Sequence, residues 1–157
     1  MKAPTNTQAD HLSEDDTARL LSVLGTSDPE QLLASLIFYT TYTFALRGGT
    51  ELNNMTPASF TFTIGDRTVD TTYVENAAKN RQPGLKNIHH KRRTVTHISK
   101  KSDTETFYFY YHFYLDRCPP EMRNSSTLRL FQHPLRRADP STDLVWYGTK
   151  KPLGRNY

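Results

Sequence analysis

The sequence predicts an α+β fold, mainly α with one small antiparallel sheet. Three observations carry that expectation. A helix-start signal at Ser27-Asp28-Pro29 precedes a run that is apolar on nearly every side. Phe60, Phe62 and Ile64 then alternate with threonines and meet a Gly65-Asp66 turn. Apolar and aromatic segments follow to the end of the 157-residue chain, with no repeat and no linker. The length suits one domain, assigned to residues 12–157 after a loose polar stretch over 1–11.

The elements follow in order. Ser13 can cap a helix whose apolar face is Leu20, Leu21 and Leu24, ended by Gly25. Ser27 or Asp28 can cap a second helix, and Pro29 fits the first helical position because its missing N–H would be unpaired there. The run from Glu30 to about Leu46 holds Leu32, Leu33, Leu36, Ile37, Phe38, Tyr42 and Phe44. A helix apolar all round is a buried helix. Gly48 and Gly49 break it, and a helical turn over Thr50–Asn54 ends before Pro57. Strands are expected at Phe60–Ile64, Val69–Glu75 and Thr94–Ile98. Thr106–Leu115 is aromatic on both alternating faces, which predicts a strand buried on both sides, although a buried helix satisfies the same pattern. Pro119-Pro120 is expected to open a helix running to about Phe131, and Val145–Tyr147 to form a last short strand.

Composition narrows the function. Net charge is +4, which permits nucleic-acid binding without demanding it. Its distribution says more. Residues 1–30 are acidic, whereas 81–101 carry Arg81, Lys86, Lys91, Arg92, Arg93, Lys100 and Lys101 with no acid. The lone Cys118 rules out an internal disulfide and a cysteine metal site, and suits a reducing compartment. His89 and His90 are adjacent, so they point to different faces and do not predict a metal site. No cofactor is expected. No run approaches the roughly 20 apolar residues that span a bilayer, and the N-terminus lacks the apolar core of a signal peptide. The chain is expected to be intracellular and to have no membrane partner.

The segment from Phe44 to Phe62 carries the most chemistry: a buried helix, an arginine, a Glu-Leu pair, then a strand pair. It resembles the tyrosine recombinases, which place their first catalytic arginine just after a buried helix and before a small antiparallel sheet. The spacing Leu46-Arg47-Gly48-Gly49-Thr50-Glu51-Leu52 resembles a variant of that family, the Crypton-derived recombinase-like domain at the C-terminal end of MYM-type zinc-finger and glutamine-rich proteins. Further steps match in order: Tyr73-Val74-Glu75, Ala78-Lys79-Asn80-Arg81, Gly84-Leu85-Lys86, Arg117-Cys118-Pro119, Trp146-Tyr147 and Pro152-Leu153-Gly154. Together they cover about residues 30–157.

The resemblance implies a fold like the recombinase and integrase catalytic domain, incomplete at its C-terminal end. It implies that Arg47 contacts a phosphoryl group, where an always-charged guanidinium fork matches the developing charge. Lys79 would act toward the leaving 5′-oxygen, and Glu51 would orient the guanidinium or cap the short helix. Both catalytic positions are expected to be vestigial or partial. Two plainer accounts compete: a structural ion pair between Arg47 and Glu51, and a solvated turn lysine at Lys79. Lys86, Lys91, Arg92, Arg93, Lys100 and Lys101 form the expected phosphate-contacting set, or else a solvated basic loop.

His133-Pro134-Leu135-Arg136 matches the H-x-x-R pattern of the second recombinase motif, with Tyr147 and Tyr157 beyond it. It comes before the proline-leucine-glycine step, whereas the family's motif lies on a helix past that step. Pro134 would also disrupt a helix interior. The motif is therefore rejected, and the chain is expected to stop before a usable nucleophile.

The leading expectation is a non-catalytic, nuclear, DNA- or chromatin-associated domain of recombinase ancestry. The alternatives are part of an active tyrosine recombinase whose C-terminal part is missing, and a protein-interaction module of a transcriptional regulator.

Overall fold

The computed structural model describes residues 13–46, 49–75 and 93–154; the stretch expected to be loose, 1–11, lies outside them. Among the described residues four α-helices and five strands make a mixed α+β fold.

Helix α1, Glu14–Val23, is held by its cap more than by packing. Ser13 Oγ accepts from the Asp16 amide at 3.0 Å, and Glu14, Asp15 and Asp16 place acids on the first turn, where the helix dipole favours them. None of its residues is buried. The expected apolar face is not used as one: Leu21 is exposed, and only Leu24, just past the helix, packs on the core.

Helix α2, Pro29–Phe44, forms where the sequence predicts a buried helix, though it is not buried all round: Tyr42 is 76% exposed. Asp28 Oδ1 accepts from the Gln31 amide at 2.9 Å. Leu32, Leu33, Leu36 and Phe44 are fully buried. Gly25 sits against its first turns, exchanging hydrogen bonds with Ser35 Oγ. A Cβ at Gly25 would come within 3.0 Å of the Gln31 side chain. The helix ends before the glycines, at Ala45, whose φ of 51° is left-handed. For a residue with a Cβ that conformation costs about 1–2 kcal/mol, and the tertiary structure offsets it, as described below.

Helix α3, Gly49–Asn54, and a 3-10 turn at Pro57–Ser59 lead into a three-stranded antiparallel sheet. Its order is β1 (Phe60–Ile64), β2 (Thr68–Val74) and β3 (Thr94–Lys100). Phe60 pairs with Tyr73 and Ile64 with Val69, and Tyr73 pairs with Val95 on the far side. Val69, Thr71 and Tyr73 are buried, whereas Thr61 and Thr63 are exposed. That is the alternation of a sheet with one covered face.

The covering element corrects an expectation. Thr106–Leu115 is not a strand: Phe107–Asp116 forms helix α4, with Thr106 Oγ1 accepting from the Phe109 amide. Phe107, Tyr110, Tyr111, Tyr114 and Leu115 are buried, the i, i+3, i+4, i+7, i+8 stripe of a helix. Aromatic residues at nearly every position hid that stripe, and α4 packs along α2 while its Phe107 ring reaches the sheet. Its Phe107 ring lies 5.0 Å from Phe44 and 4.7 Å from Phe60. Phe44 and Phe60 in turn lie 5.6 and 5.3 Å from Tyr73. These four rings join both helices to the sheet.

The expected helix from Pro119 to Phe131 is also corrected. Only a 3-10 turn at Pro120–Met122 forms. Ser125 Oγ then accepts from the amides of Thr127 and Leu128, so side-chain bonding replaces helical pairing. The chain continues into β4, Gln132–Pro134, paired with β5, Tyr147–Pro152, in a two-stranded sheet. The last strand thus starts at Tyr147 instead of running over 145–147. Tyrosine hydroxyls pin this part to the rest, as Tyr114 donates to Leu130 O at 2.7 Å and Tyr147 to Pro29 O at 2.6 Å, while Tyr111 ties α4 to the 3-10 turn through Pro57 O at 2.9 Å. Among the described residues no helix is long and apolar enough to cross a membrane.

Candidate functional site

Three segments meet where α2 ends. Glu51 lies on α3, Tyr73 near the end of β2, and Arg93 just before β3. Arg93 Nη1 lies 3.1 Å from Glu51 Oε1 and 3.4 Å from Oε2. The Tyr73 hydroxyl donates to the same Oε1 at 3.0 Å. Arg93 Nη2 donates to the backbone oxygens of Phe44 and Ala45. These are end-of-helix carbonyls without helical partners, so a cation there satisfies them and complements the dipole. The arginine thereby supports the left-handed turn at Ala45. The Glu75 amide donates to Arg93 O at 2.8 Å, closing the base of the β2–β3 connection.

Both partners of the ion pair are largely covered, with side-chain exposures of 32% for Arg93 and 15% for Glu51. Burial raises the Tyr73 hydroxyl pKa above its ordinary value, and the Glu51 carboxylate raises it further. Tyr73 is therefore held as a neutral donor at physiological pH. The cluster is a clasp: one carboxylate takes three hydrogen bonds from two strands' worth of chain, and one guanidinium seals the helix end.

The residues expected at the site fare differently. Glu51 stands at its centre, and among the described residues its cationic partner is Arg93. Arg93 was expected to contact phosphate with Lys91 and Arg92; its guanidinium is instead turned inward to Glu51 and the end of α2, because those carbonyls need a donor. Lys100 and Lys101 do not join it. They end β3 at the opposite end, where Lys100 pairs with Thr68 while Thr94 pairs with Val74. A seven-residue strand spans roughly 20 Å, so the basic run is split along the sheet. Lys101 Nζ donates to Gly65 O at 3.2 Å. Arg47, Lys79, Lys86, Lys91 and Arg92, with His89 and His90, lie outside the described residues. The expectation that Arg47 is buried near Glu51 lies there too.

The rejected H-x-x-R segment lies on no helix. Gln132–Pro134 is strand β4, and the Leu135 amide donates to Trp146 O at 2.7 Å. Tyr147 is fully buried with its hydroxyl engaged, and burial raises its pKa well above the ordinary tyrosine value. Among the described residues no group of three or more His, Cys, Asp or Glu side chains gathers as a metal site would require.

Tyr73 and the inward use of Arg93 were missed in the sequence. Tyr73 sits on the buried register of β2, which its alternation with Thr72 and Val74 could have signalled. Nothing local distinguishes Arg93 from Arg92; only the distant end of α2 does.

Fold and clasp together define an α+β domain in which an arginine–glutamate pair locks a helix end to a three-stranded sheet. The chain belongs to the family described as Domain of unknown function (DUF3504), whose model matches residues 12–157. No curated protein and no solved structure matches it.

Proposed function

We propose that this chain is a non-catalytic DNA- or chromatin-associated domain of recombinase ancestry, acting in the nucleus. The observation that carries the reading is the Arg93–Glu51 clasp. It holds Ala45, two residues before Arg47, beside Glu75 and Arg93, the residues that flank the 76–92 segment. That segment carries Lys79, Arg81, Lys86, Lys91 and Arg92 and no acid. A cation-rich sequence segment whose flanking residues are held together suits a phosphate backbone, whose neutralisation by Lys and Arg supplies sequence-tolerant affinity. The buried, hydrogen-bonded Tyr147 supports the non-catalytic half of the reading, since a tyrosine nucleophile needs a free oxygen in line with phosphorus.

The test is binding to two duplexes of unrelated sequence, followed by fluorescence anisotropy over a range of salt. Similar affinity for both, weakening as salt rises, supports the reading. Lys86, Lys91 and Arg92 replaced by Ala should weaken binding, while Lys100 and Lys101 replaced by Ala, at the far end of β3, should matter less. Affinity unchanged in the first variant overturns it.

A further inference from the structure

A cleft of about 450 Å³ runs along the β4–β5 hairpin, far in sequence from the clasp. Its apolar lining includes Pro134, Leu135 and Val145, and its charged lining Arg136, Lys150 and Lys151. Leu135 and Val145 remain 45% and 40% exposed, and the neighbouring Leu144 is 85% exposed. Aliphatic side chains left this open beside a formed cleft mark an interaction site.

The charge around it is uncompensated. Among the described residues Arg136, Lys150 and Lys151 form no ion pair, and no acid lines the cleft. The acids of the loop joining β4 to β5 are spent on that loop. Asp139 Oδ1 accepts from the amide and hydroxyl of Ser141 at 2.9 and 2.7 Å. Asp143 Oδ2 accepts from the Asp139 amide at 2.7 Å.

We propose that this cleft docks an acidic peptide segment bearing leucine-type side chains, supplied by a partner protein. The apolar floor takes an aliphatic side chain, and the three cations take carboxylates on either side of it. A nucleic-acid backbone would satisfy the cations but gains nothing from Leu135, Val145 and Pro134. The volume suits one or two side chains of a short segment. The rim charges would steer encounter and set preference for acids, while the floor would supply the desolvated contact. This inference is independent of the DNA reading, whose cations lie in the 76–92 segment.

The probe is a fluorescein-labelled peptide of alternating Glu, Asp and Leu, titrated with the full chain and followed by anisotropy. Two control peptides replace its leucines by Ala or its acids by Lys. The expected result is saturable binding of the first peptide, weakened about tenfold, or 1.4 kcal/mol, by either control. Arg136→Glu with Lys150→Glu should weaken it at least as much, as should Leu135→Ser, whereas Arg67→Glu in the β1–β2 turn should not. Circular dichroism of each variant confirms that it folds. Equal binding of the leucine-free peptide overturns the proposal in favour of a plain charge effect. Displacement by short duplex DNA, lost in the same cleft variants, overturns it in favour of a phosphate site. Absence of peptide binding overturns it too. So does a sedimentation mass that rises with concentration and is abolished by the cleft variants, since a second copy would then cover the cleft.

Discussion

Arg93 and Glu51 are 42 residues apart in sequence and 3.1 Å apart in space. That pair fixes the end of α2, the turn of α3 and both ends of the β2–β3 connection in one place. Its loss should be felt in stability before it is felt in any surface property. Arg93→Ala leaves the Glu51 carboxylate without its cation and two carbonyls without a donor. The expected cost is about 1–2 kcal/mol, taking the range for hydrogen bonds to charged groups and discounting it for partial exposure. In urea unfolding, Arg93→Ala and Glu51→Gln should be non-additive by about 0.5 kcal/mol or more. Strict additivity would mean that the clasp is not a coupled unit.

For DNA, the informative measure is the slope of log K against log salt. Each phosphate contact contributes roughly 0.9 to it. Replacing Lys86, Lys91 and Arg92 by Ala should flatten the slope by about two to three units. Arg93 does not belong in that variant, because its effect on folding would confound the result. An unchanged slope would remove these side chains from the interface.

No covalent DNA adduct should form. Tyr147 donates to Pro29 O at 2.6 Å and has no exposed surface. Tyr147→Phe should cost about 1 kcal/mol of stability, the usual worth of such a bond, and should leave DNA behaviour unchanged. A nicked suicide duplex gives the direct readout on a denaturing gel. A trapped band that disappears with Tyr147→Phe or Tyr157→Phe would restore the H-x-x-R motif at His133–Arg136.

Alkaline pH should unfold the chain early. Burial pushes the Cys118 thiol from near 9.0 up to about 12. Burial also raises Tyr39 from 10.0 to about 12, and Tyr111, Tyr114 and Tyr147 move up for the same reason. For an acid whose folded pKa is raised, the folded state favours the protonated form. The stabilisation is therefore complete below the unfolded pKa and is lost as pH rises through the folded one. Urea midpoints should be flat from pH 7 to about 8.5 and fall from roughly pH 9 upward, where unfolded thiols and then phenols begin to ionise. Cys118→Ala should remove the earliest part of that fall, and the wild-type thiol should resist thiol reagents until the chain unfolds. A flat profile to pH 11 would contradict the burial of these groups.

The candidate site was only partly legible. Glu51 could be singled out from its place after Leu46-Arg47 and before a strand pair. Lys100 and Lys101 looked continuous with Arg93 because sequence proximity ignores that a strand carries its two ends roughly 20 Å apart. Arg93 looked like one more basic loop residue because its partners come from residues 44, 45 and 51.

What the sequence determined by itself is local. Ser13 and Asp28 set helix starts, Pro29 fits the first turn, and threonine alternation around Phe60 and Phe62 gives a strand, because caps and side-chain periods depend on neighbours a few residues away. What the tertiary structure decided is where both sides of an element are apolar or where a polar group needs a distant partner. Phe107–Asp116 is a helix whose buried stripe of Phe107, Tyr110, Tyr111, Tyr114 and Leu115 packs on the core, and a run aromatic at nearly every position carries no visible period. Residues 123–131 gave up the expected helix as Ser125 took the local amides and Leu130 bonded to Met55 and Tyr114. Arg93 turned inward because the end of α2 leaves carbonyls that only a donor from another segment can reach.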